Sequence, residues 1–154
     1  MGKRMRVAAL ALAGAAWLGC GGGDNTGPNN QTGDHTMSAS VDGSSWSALN
    51  AAAARNNGFV GVGASASDLS TISFAFPDHT GTFQVGGQDG TNASFISGGK
   101  SWTAAFGTGG SGTITVTTLT ATRVSGTFSF VAPALSGGAT GSKTVTNGSF
   151  DVEF

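Results

Sequence analysis

From Met37 onward, apolar and polar residues alternate with a period of two, the repeat of a strand that buries one face. Met37, Ala39 and Val41 alternate up to Asp42-Gly43, a dipeptide suited to a tight turn, and Trp46 and Ala48 resume beyond it. Ile72, Phe74 and Phe76 run to Pro77, and Phe83 and Val85 end at Gly86-Gly87. Trp102, Ala104 and Phe106 carry the pattern on, followed by Ile114 and Val116. Val124, Phe128, Phe130 and Ala132 hold one phase; Phe150, Val152 and Phe154 hold another. Leu49–Arg55 (LNAAAAR) is the best helix candidate, but it is short, lacks a periodic apolar face and reads alternatively as a strand edge.

Turn residues at hairpin spacing divide this stretch into about nine or ten antiparallel strands. The expected fold is all-β: a meander closed as a flattened, lipocalin-like barrel or packed as a β-sandwich. Phase slips near Thr117-Thr118 and at Asn147-Gly148 predict bulges or tight turns that curve the sheet. The strands are too short and mixed for a membrane-spanning barrel, and tyrosine is absent from any aromatic girdle, so a water-soluble domain is expected.

Before Met37 the pattern is different. Lys3, Arg4 and Arg6 precede the apolar run Val7–Ala16, the layout of a signal peptide. Spanning a bilayer takes about 20 apolar residues, more than this run supplies. Two cleavage sites are open. Ala13-Gly14-Ala15 fits a small-x-small site, which would leave Cys20 as a free thiol. Trp17-Leu18-Gly19-Cys20 resembles a bacterial lipobox, matching at Gly19 and Cys20 but with the usual leucine displaced by one and Trp17 in its place. That resemblance implies that Cys20 becomes the lipidated first residue, and Gly21 after it is compatible with transfer to the outer membrane. The expected organisation is a lipoprotein signal peptide over 1–19, a lipid-bearing Cys20 with a flexible Gly/Asn-rich tether over 20–36, and one β-domain over 37–154. The expected address is the bacterial cell envelope, with the domain facing either periplasm or exterior.

Charge narrows the partners. Charged residues make up 10% of the chain, and glycine supplies 27 positions. Beyond Cys20 only Arg55, Lys100, Arg123 and Lys143 oppose eight acids, a formal charge of −4. No basic patch for nucleic acid and no polybasic segment for anionic lipid is present. A single cysteine excludes an internal disulfide framework and a cysteine zinc site.

Candidate catalytic groups are sparse. His35 falls in the tether, and His79 in the turn Pro77-Asp78-His79-Thr80-Gly81. A triad from Asp78, His79 and a serine would need adjacent turn residues to orient one another, and no G-x-S-x-G elbow accompanies them. Asp34, Asp42, Asp68, Asp78 and Asp89 stand beside turn residues, where local carboxylate-to-backbone bonds account for them. Asp89-Gly90-Thr91-Asn92 could offer oxygens to calcium but lacks the acidic spacing of an EF-hand loop. Asp151 and Glu153 alternate with Val152 and are expected on one solvated face of the last strand, a simpler account than a glycosidase pair. Trp46 and Trp102 fall in core phase, which argues against an exposed sugar platform. No catalytic residue, metal or cofactor is expected.

Four phrases, Met37–Trp46 (MSASVDGSSW), Gly112–Val116 (GTITV), Ser125–Phe130 (SGTFSF) and Val145–Phe150 (VTNGSF), occur in an order that resembles a family of small bacterial lipoproteins of unknown function. That family opens with VDG-x-x-W-x-A and closes with GTFSF-x-A and VTNGSFDV, and the resemblance covers Met37–Phe154. It implies a fold and an address and carries over no catalytic residue. Asp42-Gly43 and Asn147-Gly148 read as turn dipeptides, and Gly126 as a place where a neighbouring strand or ring packs closely.

The expected function is a membrane-anchored, non-catalytic binding or structural accessory of the envelope. Its expected partners are the membrane through Cys20 and an envelope protein or small apolar ligand. One alternative is a small-ligand carrier with a lipocalin-like cavity, roomy if Gly61, Gly63, Ala64 and Ala104 face inward. The other is an envelope hydrolase.

Overall fold

Thr36–Val41 (β1) and Ser44–Ser47 (β2) pair as a hairpin through Asp42-Gly43. Both turn residues have positive φ, 49° and 84°, the geometry whose twist matches that of the flanking strands. The computed structural model describes residues 35–154; the expected signal peptide, Cys20 and most of the expected tether lie outside the described residues. The remaining strands are Asn50–Asn56 (β3), Phe59–Ser65 (β4), Thr71–Pro77 (β5), Gly81–Val85 (β6), Asn92–Ser97 (β7), Lys100–Ala104 (β8), Ser111–Leu119 (β9), Arg123–Ser136 (β10) and Ser142–Glu153 (β11). The fold of the described residues is all-β and antiparallel, as expected, with eleven strands among them in place of nine or ten.

Nine strands follow one path, β2-β1-β11-β10-β8-β7-β5-β4-β3, and β9 and β6 branch from β10. The 14-residue β10 belongs to two layers: it pairs with β9 along Val124–Val131 and with β8 at Ala134 and Ser136. The first layer is β2-β1-β11-β10-β9-β6 and the second is β3-β4-β5-β7-β8. The chain passes between layers at a corner after β2. There Ala48 N–H donates to the Met37 carbonyl in one layer, and Leu49 N–H donates to the Ser65 carbonyl in the other (2.9 and 2.8 Å). A simple meander would pair β6 with β5. Instead β6 crosses to the first layer and pairs with β9, so the two layers share one chain path as a curled, flattened half-barrel.

The inward residues of both layers meet in one core. Phe74 of the second layer lies 4.9 Å from the Phe128 ring and 5.1 Å from the Phe150 ring of the first, centroid to centroid. Phe76 stacks on Phe83 at 5.7 Å. Burying each such ring contributes about 2–3 kcal/mol, which is how a domain with so few charges and so many glycines holds together.

The phase slips are bulges. The β10–β9 register jumps between Ser125 and Gly126, skipping Thr117. Asn147 (φ 51°) interrupts β11, so that both neighbours, β1 and β10, change register beside it. Asn147-Gly148 is therefore a mid-strand kink and not a hairpin turn. Of Leu49–Arg55, all but Leu49 belongs to edge strand β3, so the strand reading holds and the helix reading does not. The alternation does not continue through Phe106: β8 ends at Ala104, and Phe106 stands exposed in the following loop.

Candidate functional site

Of the ionisable side chains that could carry chemistry, Asp42, Asp68, Asp78, Asp89 and Asp151 are each held by a structural partner, whereas the buried Nδ1 of His35 has no hydrogen-bond partner. Asp78 pairs with Arg55 at 3.2 Å, and the same arginine donates to the Thr120 carbonyl and lies 4.4 Å over the Phe154 ring. His79 Nδ1 sits 2.9 Å from the Thr80 carbonyl oxygen, and its ring packs on Phe83. The turn thus directs Asp78 to another strand and leaves His79 with no orienting carboxylate from that residue. Asp68 accepts from both the backbone and hydroxyl of Ser70, and Asp89 accepts from Thr91 N–H, as expected for aspartates in turns. Asp151 and Glu153 do share the outer face of β11, but Asp151 is not simply solvated: Arg123 grips it with two bonds of 2.6 and 2.5 Å. Asp34 and Cys20 lie outside the described residues. Among the described residues, no three of His, Cys, Asp and Glu come together as a metal-holding group.

Asp42 shows how one turn residue ties strands together. Its carboxylate accepts from Lys143 Nζ at 2.6 Å and from Thr144 N–H at 2.9 Å, and these bonds hold its pKa below the ordinary 3.8. A carboxylate lowered on folding stabilises the fold above its ordinary value and loses that contribution as pH falls through the lowered one. Asp42→Asn should therefore cost under about 1 kcal/mol at neutral pH, the scale of an exposed ion pair. Below the carboxylate range the difference from wild type should vanish. Urea titrations at pH 7 and at pH 2–3 check this; a cost that persists in acid would show that the carboxylate charge is not what matters.

Trp46 and Trp102 are buried, 7% and 6% exposed, so neither forms a flat sugar platform. Trp46 Nε1–H donates to Ser70 Oγ at 2.7 Å, and Trp102 Nε1–H donates to the Thr140 carbonyl at 3.2 Å. Of the four small residues considered as cavity lining, Ala64 and Ala104 face inward, against the aromatic core. Gly61 and Gly63 alternate with the buried Val60 and Val62 and face outward, where with Ala52, Ala54 and Ala75 they floor an open groove of about 450 Å³.

Two surfaces stand out. The outer face of the first layer carries a transverse row of hydroxyls, Ser47, Ser38, Ser149, Thr127, Thr115 and Thr82, paired strand by strand across all six strands. Neighbours along it touch, Ser38 with Ser149 at 3.2 Å and Thr82 with Thr115 at 3.3 Å. Beside this row an open groove of about 670 Å³ runs past Thr113, Ser129, Thr146 and the Asn147 bulge. The face can donate and accept hydrogen bonds and presents no charge along the row. The second surface is apolar: Leu49, 71% exposed, stands at the corner where β2 passes into β3, and Leu69, 84% exposed, stands in the turn between β4 and β5 beside it. Leu69 also has φ 63°, a left-handed conformation costing a non-glycine residue about 1–2 kcal/mol. Sequence reasoning passed over both surfaces, because neither alternates with an obvious motif.

Residues 33–152 match the family described as "Domain of unknown function (DUF6252)", and the chain belongs to that family. No curated protein and no solved structure matches it.

Proposed function

From membership of a domain family without an assigned activity, we propose that this chain is a bacterial envelope lipoprotein: a lipid anchor at Cys20, a flexible tether, and a non-catalytic β-domain acting as a binding or structural accessory. The observation that carries it is the order of parts along the chain. A basic n-region and short apolar run end at Gly19-Cys20, an uncharged-to-acidic Gly/Asn-rich stretch follows, and the paired strands begin at Thr36. Acyl chains on one terminal cysteine would hold the domain at a membrane, since two or more chains anchor stably where one is marginal. The non-catalytic role is supported by the structural partners of Asp78, His79, Asp68 and Asp151, which tie these groups to the fold.

The test is metabolic labelling with a radioactive fatty acid in a Gram-negative host. Label is expected in the wild-type chain and absent from Cys20→Ala, which should also leave the membrane fraction. A wild-type chain without label, or a Cys20→Ala chain that stays fully membrane-bound, overturns the proposal.

A further inference from the structure

We propose that the corner carrying Leu49, with Leu69 in the turn beside it, is a membrane-docking edge, which seats the domain on the phospholipid surface to which its tether leads. The inference rests on the anchoring of Cys20 for its proximity to lipid, and adds a second, direct contact made by the domain itself.

Three observations place the edge. First, the tether enters the domain beside it. Thr36 and Met37 open β1, Ala48 N–H bonds back to the Met37 carbonyl, and Leu49 follows directly. Leu49 N–H then bonds to Ser65, and the turn that carries Leu69 is closed by Ala66 N–H donating to the Ser70 carbonyl. The 16 residues from Cys20 to His35 reach at most about 55 Å, so a domain anchored at Cys20 stays within that distance of the bilayer.

Second, three of the seven exposed large apolar residues among those described, Leu49, Leu69 and Ile96, share one end of the second layer. The pairing Asn50–Ser65–Thr71–Ile96–Ser101 runs transversely across β3, β4, β5, β7 and β8, and Leu49, Leu69 and the 41% exposed Ile96 lie on or just beyond it. Lys100, the first residue of β8 on the same side, supplies a cation for lipid phosphate. Asp68, beside Leu69, has one carboxylate oxygen turned onto Ser70.

Third, Leu69 is held where a leucine does not belong on local grounds. Its φ of 63° is natural to glycine or asparagine, and its side chain is 84% exposed, so neither backbone nor core accounts for it. An apolar side chain presented at the tip of a turn that Ser70 and Trp46 brace from below is suited to enter the acyl boundary of a bilayer.

The experiment replaces exposed Ser67, in the same turn, by an environment-sensitive fluorescent amino acid in the full chain. The protein is combined with vesicles of three parts phosphatidylethanolamine to one part phosphatidylglycerol, with nitroxide-labelled acyl chains as quencher. Quenching at 67 is expected to exceed that of the same probe at Gln88, in the loop after β6, by about fivefold or more, and to fall to the Gln88 level when Leu49→Ser and Leu69→Asn are added. Asparagine tolerates the left-handed backbone, so the double variant should melt at or above the wild-type temperature, which separates lost docking from lost folding. Equal quenching at 67 and 88 overturns the docking edge. Fatty-acid label at Cys20, scored on the same preparation, reads the anchor separately. Label with equal quenching leaves the anchor and removes the edge; quenching at 67 without label leaves the edge and removes the anchor.

Discussion

Phe74→Ala should lower the unfolding free energy by about 3–5 kcal/mol, the scale of truncating a fully packed core ring. The ring is 3% exposed and lies between layers, within 4.9 Å of Phe128, 5.1 Å of Phe150 and 6.2 Å of Phe76. Removing it takes away the transfer free energy of a buried ring and leaves a void that neighbouring strands cannot close, because each is pinned by pairing on both sides. Small domains have about 5–15 kcal/mol to lose, so the variant should unfold at much lower urea. Phe106→Ala is the matched control: the same chemistry at a side chain 68% exposed should change stability by less than about 0.5 kcal/mol. Urea titration followed by the fluorescence of buried Trp46 and Trp102 measures both. Similar costs at the two positions would mean that the inter-layer aromatic cluster does not hold the layers together.

The contrast between these phenylalanines also shows how far the sequence reaches. Period-two alternation located Phe74 in the core, since a strand with one buried face must place every second residue inward. It misplaced Phe106 because alternation cannot see where pairing stops: Ala105 N–H and carbonyl are both taken by Thr108, which closes a turn and releases Phe106 to solvent. The bulges at Thr117 and Asn147 were legible, because an extra residue shifts the phase of everything after it. The crossing of β6 to β9 was not, since a five-residue strand reads the same beside β5 or beside β9. The hydroxyl row stayed hidden for a related reason. Each strand shows its own outward Ser or Thr, but only register aligns Ser38, Ser149, Thr127, Thr115 and Thr82 into one line. Leu69 carried a different missing signal: its sequence context, Asp68-Leu69-Ser70, gives no hint of a positive φ that the turn imposes.

Gly126→Ala should destabilise by about 1–3 kcal/mol, against the small gain that alanine over glycine ordinarily brings in a strand. Gly126 lies directly opposite Phe150 in the β10–β11 pairing, on the inward phase of β10, immediately after the register jump at Ser125. A methyl group there would come within 2.9 Å of Phe150 Cζ and press on the Thr115 carbonyl oxygen of β9. The ring could be pushed aside, but the carbonyl is main chain in a paired strand, so the strand itself must shift. Gly61→Ala supplies the opposite case in the same fold. It has an ordinary φ, faces outward, and its added methyl would meet nothing closer than the Ala54 carbonyl at 4.0 Å. Reduced freedom of the unfolded chain should then make it neutral or stabilising by up to about 1 kcal/mol. Combining Gly126→Ala with Phe150→Leu separates the two contacts. If the ring is the obstacle, the double variant loses less than the sum of the singles; if the Thr115 carbonyl is, the losses add. A Gly126→Ala protein as stable as wild type would show that β9 and β10 can move apart by a methyl group, and that the glycine is not what lets Phe150 close over this point of the core.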